Sequence, residues 1–190
     1  MHQIRPLVLA LGIAALLAGC AGESSIKPSE TLDEQTGMTV GSLEKPIELI
    51  QAPELPPSGP DHRISFAYLG PIEWDNMGKL TYALWIHVAP GSDWRFEDIQ
   101  DPGSLELALD HGTSTLTVMH PPSLAHSPYR PIASWGQTAY VGVDLGMLRS
   151  MAASGRIELE VKAVGGAMVH FAAAPDARET LTRYLHARGY

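Results

Sequence analysis

The chain has 190 residues, a formal net charge of −8 and one cysteine. The acidic balance gives no electrostatic footprint for nucleic acid or for anionic lipid headgroups, and a single cysteine excludes an intrachain disulfide and a multi-cysteine metal centre. The 18 glycines and 15 prolines imply many turns and short elements, and no internal repeat is visible.

At the N-terminus, Met1 to Pro6 carries one fixed positive charge, Arg5, and Leu7 to Ala18 is an unbroken run of apolar or small residues. Gly19-Cys20 closes the segment. This is the layout of a secretory signal peptide, expected over residues 1–19. As a helix the run would span about 18 Å, short of the roughly 30 Å hydrocarbon core of a bilayer.

The four residues "LAGC", Leu17 to Cys20, resemble the lipobox of bacterial lipoproteins. The resemblance implies cleavage between Gly19 and Cys20, a diacylglycerol on the Cys20 thiol, and acylation of the new amino terminus with a fatty acid such as palmitate. Ala21 is not the acidic residue that often retains such proteins in the inner membrane, which favours the outer membrane. Each buried methylene contributes about 0.8 kcal/mol, so several chains on one residue hold a protein stably. The membrane is then the expected partner, through Cys20, and no thiol remains for metal or nucleophilic chemistry. Loss of residues 1–19 removes one basic and no acidic residue, taking the formal charge from −8 to −9.

Residues 20–36 are polar and read as a lipidated tether; residues 37–190 read as one domain. "TGMTVGSLEKPIELIQ" offers two short strands broken at Lys45-Pro46, with Thr39 and Val40 in the first and Ile47, Leu49 and Ile50 in the second. The proline-rich stretch Ala52 to Asp61 reads as a surface crossing. "RISFAYLGPIEWD" alternates, placing Ile64, Phe66, Tyr68, Ile72 and Trp74 on one expected core face. A turn at Asp75 to Lys79 follows, with Gly78 suited to positive φ. "KLTYALWIHVA" then puts Leu80, Tyr82, Leu84, Ile86 and Val88 inward, completing a long hairpin.

A second hairpin has Leu105, Leu107 and Leu109 inward, a turn at Asp110-His111-Gly112, and Leu116 and Val118 on the return. His120 to Trp135, rich in Pro and Ser, reads as a long loop, and "QTAYVGV" as another strand. Asp144 is placed to cap a short helix near 144–154, with Leu145, Leu148, Met151 and Ala152 inward. "RIELEVKA" alternates Ile157, Leu159, Val161 and Ala163 in against Arg156, Glu158, Glu160 and Lys162 out, and pairs with "AMVHFA" across Gly165-Gly166. A closing helix near 175–188 presents Ala177, Leu181, Tyr184, Leu185 and Arg188 on one face. The expected fold is mainly β: an antiparallel β-sandwich of about nine short strands with two small helices. The order of lipobox, tether, "LDEQTGMTV", Trp-rich hairpin and closing helix resembles lipoproteins of proteobacteria. That resemblance implies no activity.

Candidate chemistry is sparse. His111, His120 and His126 lie in or beside loops and would bind a metal only if they met. Ser123, His126 and Asp144 are the residue types of a hydrolase triad, without a nucleophile elbow. No phosphate loop is present, and neither a cofactor nor a metal is expected. On "KLTYALWIHVA" the face opposite the core carries Trp85 and His87 where polar residues belong. That face is covered, either within the domain by the second helix or by a partner such as another envelope protein. The sequence therefore points to a lipid-anchored, non-catalytic binding or structural module facing the periplasm. Its rivals are an envelope hydrolase or metal-binding protein using the loop histidines, and an accessory subunit of an export assembly.

Overall fold

A computed structural model describes residues 26–52 and 65–190. The signal segment, Cys20, Ile64 and most of the Ala52–Asp61 crossing lie outside the described residues.

The strands are β1 (Pro28–Leu32), β2 (Thr39–Leu43), β3 (Ile47–Gln51), β4 (Phe66–Asn76), β5 (Lys79–Ala89), β6 (Leu105–Leu109), β7 (Gly112–Thr115), β8 (Gln137–Val143), β9 (Ile157–Lys162) and β10 (Met168–Ala173). Two helices are described, α1 (Leu145–Ala153) and α2 (Ala177–Ala187). The protein is mainly β with short helices, as expected. The two layers of the expected sandwich are opposing halves of one curled antiparallel sheet of ten strands.

The long hairpin β4–β5 organises that sheet. Its turn takes positive φ at Met77 (55°) and Gly78 (87°), the conformation two-residue hairpins favour because it matches strand twist. The Asp75 carboxylate accepts the Gly78 N–H at 2.6 Å. One edge of β4 pairs with β5 along its whole length. Its other edge is shared: Phe66–Leu69 pairs with β3, and Glu73–Asp75 with β2. From β3 the sheet runs through β10, β9 and β6 to β7, and from β5 to β8. Beyond β7 the chain returns to β8. Val118 bridges Val141, the Met119 N–H donates to the Tyr140 carbonyl at 2.7 Å, and the Gly142 N–H donates to the Thr117 carbonyl at 3.1 Å. These bonds close the curl.

The interior is apolar. Leu84, Ile86 and Val88 of β5 face it with Leu107, Leu159, Val161 and Phe171, all buried. The register puts Ala67 opposite Val88 and Leu69 opposite Ile86, so β4 presents Ala67 and Leu69 to the core. Phe66, Tyr68, Ile72 and Trp74, expected inward, occupy the outer face, where Ile72 and Trp74 are nonetheless buried in the core. Both faces of β4 carry apolar residues, and the inner one also holds Glu73, so alternation alone does not say which is inside. On the outer face the rings are covered by a loop, Tyr129 lying against Trp85.

Asp144 caps α1 as expected, its Oδ1 accepting the Met147 N–H at 2.7 Å. The helices pack on one another, and Leu148, Met151, Leu181 and Leu185 join the core. Pro28–Leu32, expected in the tether, is instead strand β1 on the edge of β2. A polar edge strand needs only ladder hydrogen bonds, not a buried face, and its Glu30 pairs with Arg188. No helix of the described residues is long and apolar enough to cross a membrane.

Candidate functional site

Trp85 and His87 alternate with the core residues of β5 and therefore point outward, yet both are buried. Their cover is the long loop after β7, not a helix. Tyr129 of that loop lies on Trp85, with ring centroids 5.3 Å apart, and Trp85 stacks on His87 at 5.6 Å and 19°. Tyr129 fits because Gly70, opposite Trp85 in the ladder, has no side chain: a Cβ there would come 2.3 Å from the Tyr129 ring. The Tyr129 hydroxyl accepts the Leu43 N–H at 2.8 Å and donates to the Pro71 carbonyl at 3.0 Å, tying loop to sheet. Trp85 and His87 thus belong to an internal layer and form no exposed binding face.

His87 is a neutral ring held by two partners. Its Nε2 accepts the Ala133 N–H at 3.3 Å, which leaves Nδ1 to donate to Thr138 Oγ1 at 2.9 Å. Burial pushes its pKa below the ordinary 6.5. From pH 6.5 down to that lower value the unfolded chain takes up a proton that the folded chain refuses, so stability falls as the pH falls. Melting temperature is expected to drop on acidification from pH 7 to 5, more steeply in wild type than in His87→Gln. Equal slopes would remove His87 from this role.

The loop histidines do not assemble. His111, His120 and His126 are exposed, and no group of three metal-ligating side chains among the described residues contains any of them. His126 lines an open depression with Asp33, Glu34 and Ser127, without His111 or His120. Asp33 is already engaged. Its Oδ1 accepts the Thr36 hydroxyl at 2.8 Å and the Thr36 N–H at 2.9 Å, and its Oδ2 accepts the Ala125 N–H at 2.7 Å. These bonds, the Thr36 hydroxyl foremost, hold its pKa below the usual carboxylate range. Ser123 and His126 share no hydrogen bond with Asp144, whose carboxylate caps α1.

A buried ionisable cluster lies where α2 ends. Glu73, 2% exposed, faces inward from β4. Its Oε1 accepts from Arg188 Nη2 at 2.5 Å and Nε at 3.1 Å, and its Oε2 accepts from the Tyr190 hydroxyl at 2.6 Å. Tyr190 in turn receives the Tyr82 hydroxyl at 2.8 Å. Burial opposes the Arg188 charge, but the Glu73 and Glu30 carboxylates outweigh it and raise its pKa. Burial and Glu73 also raise the pKa of Tyr184 and of Tyr190, which stay neutral donors. Both Glu73 oxygens are occupied, so the cluster latches α2 onto β4. Sequence reasoning placed Arg188 on the inward face of α2 but gave it no partner, because 115 residues separate it from Glu73.

A second group went unread. Glu158, Glu160 and His170, on the outer faces of β9 and β10, bring one ligand-capable atom each within 4.8 Å of the others. The alternation of "RIELEVKA" shows that the two glutamates share a face; only strand register adds the histidine. No protein-family model, curated protein or solved structure matches this chain.

Proposed function

We propose that the protein is a lipid-anchored component of the cell envelope, held at the periplasmic face of the outer membrane. Its domain serves as a non-catalytic binding or structural module. The observation that carries this reading is "LAGC" at the end of the apolar run Leu7 to Ala18, with a basic flank and no other cysteine in the chain. The engagement of Asp33, Asp144, Glu73 and His87 in capping, turn and latch contacts supports a non-catalytic role. These groups hold structure.

The test is metabolic labelling with a fatty acid in cells expressing wild type or Cys20→Ser. Wild type is expected to carry label and to fractionate with membranes. The variant is expected to carry none, because a hydroxyl does not replace the thiol as the acceptor in the family this segment resembles. Label retained on Cys20→Ser would overturn the anchor.

A further inference from the structure

Successive side chains of a strand point to opposite faces, so Glu158 and Glu160 of β9 project from one face. The antiparallel register sets His170 of β10 directly opposite Glu160, and Glu106 of β6 opposite Glu160 on the other side. A row of Glu106, Glu160 and His170 therefore crosses three strands, with Glu158 beside it. All these side chains are half-buried. They are neither fixed in the core nor free in solvent.

One edge of this group has the length of a coordination-shell edge. His170 Nδ1 stands 3.5 Å from Glu160 Oε1. That is long for a good hydrogen bond, but close to the roughly 3.4 Å ligand–ligand edge of a tetrahedral site with bonds of about 2.1 Å. Glu158 completes a triplet whose ligand atoms lie within 4.8 Å of one another.

The charge is only partly compensated. Like charges facing each other across a ladder destabilise it, and Glu106 and Glu160 face each other here. Of the neighbouring cations, one makes a long, half-exposed ion pair with the group and the other goes elsewhere. Arg156, half exposed, is 3.9 Å from Glu158, and Lys162 pairs with Glu97 at 2.9 Å. A bound divalent cation would neutralise this face.

The donor set selects the cation. One imidazole nitrogen with two carboxylate oxygens suits zinc and its transition-metal neighbours, whereas calcium and magnesium favour all-oxygen shells. Three protein ligands leave a fourth position for water. We propose that Glu158, Glu160 and His170 bind a divalent transition-metal cation of the zinc class, with the fourth position open to water.

The test uses untagged full-length protein in detergent micelles, stripped of metal. It is titrated with zinc chloride by calorimetry and with cobalt(II) chloride by visible absorption. One equivalent of zinc is expected to bind with Kd of about 10 μM or tighter, with cobalt giving d–d bands and excess magnesium failing to compete. His170→Ala and Glu160→Gln are each expected to weaken zinc binding at least about tenfold while keeping the wild-type melt in metal-free buffer. His120→Ala and His126→Ala are expected to bind as wild type does. Binding weaker than about 10 μM would overturn the proposal, as would a loss smaller than about tenfold in either site variant, or affinity that follows the loop histidines. The glutamine variant keeps the shape of Glu160, so a folding defect cannot be mistaken for a lost ligand.

Discussion

Trp85→Ala is expected to destabilise the domain by about 3–5 kcal/mol, the range for removing a fully buried large ring. Trp85 is 1% exposed and supports two other rings, Tyr129 at 5.3 Å and His87 at 5.6 Å. Its loss leaves a cavity under Tyr129, whose hydroxyl ties the long loop to Leu43 and Pro71. The loop loses its main apolar platform, and the seal over the outer face of β4, β5 and β8 weakens with it. Against a total stability of about 5–15 kcal/mol this is a large fraction. It corresponds to a drop in melting temperature of roughly 6–20 °C. The control is Trp135→Ala, in the same loop but 64% exposed, which is expected to change stability by less than about 0.5 kcal/mol. A thermal melt of both variants decides. An unchanged melt for Trp85→Ala would mean that its ring is not what holds the loop in place.

Val161→Asp is expected to cost still more. Val161 is completely buried, and its ladder partners are Leu105 on one side and Val169 on the other. A carboxylate there has apolar neighbours on both sides. It costs several kcal/mol whether it stays charged or takes up a proton. Loss of cooperative unfolding at 37 °C is the expected readout. Glu160→Gln, one residue away and on the outer face, is expected to stay within about 0.5 kcal/mol of wild type in metal-free buffer. Equal melts for the two variants would mean that the inward and outward faces of β9 are misassigned.

Much of the fold is legible in the sequence because it is local. Period-two alternation marks β5, β6 and β9, and their Leu84, Leu107 and Leu159 are buried as read. Turn chemistry marks the β4–β5 hairpin, where Asp75 and Gly78 act as their types predict. The Asp144 cap belongs to the same local class. The apolar run ending at Cys20 is read from sequence alone, since it lies outside the described residues.

Contacts between distant residues are decided by the tertiary structure. Alternation assigns residues to two faces without saying which is inside, and β4 carries apolar residues on both. Closure of the curl placed Ala67 and Leu69 on its inner side and put Ile72 and Trp74 on the opposite face, where they are buried as well. The same closure laid the 116–136 loop over Trp85 and His87, turning a suspected binding face into an internal layer. β1 became a strand because a free ladder edge on β2 lay within reach, which its polar sequence does not announce. Glu73 with Arg188, and His170 with Glu160, are likewise products of register and helix docking. A sequence read along its length reports the preferences of neighbours three or four residues apart. Pairing across 115 residues depends on which surfaces the whole chain can bury at once.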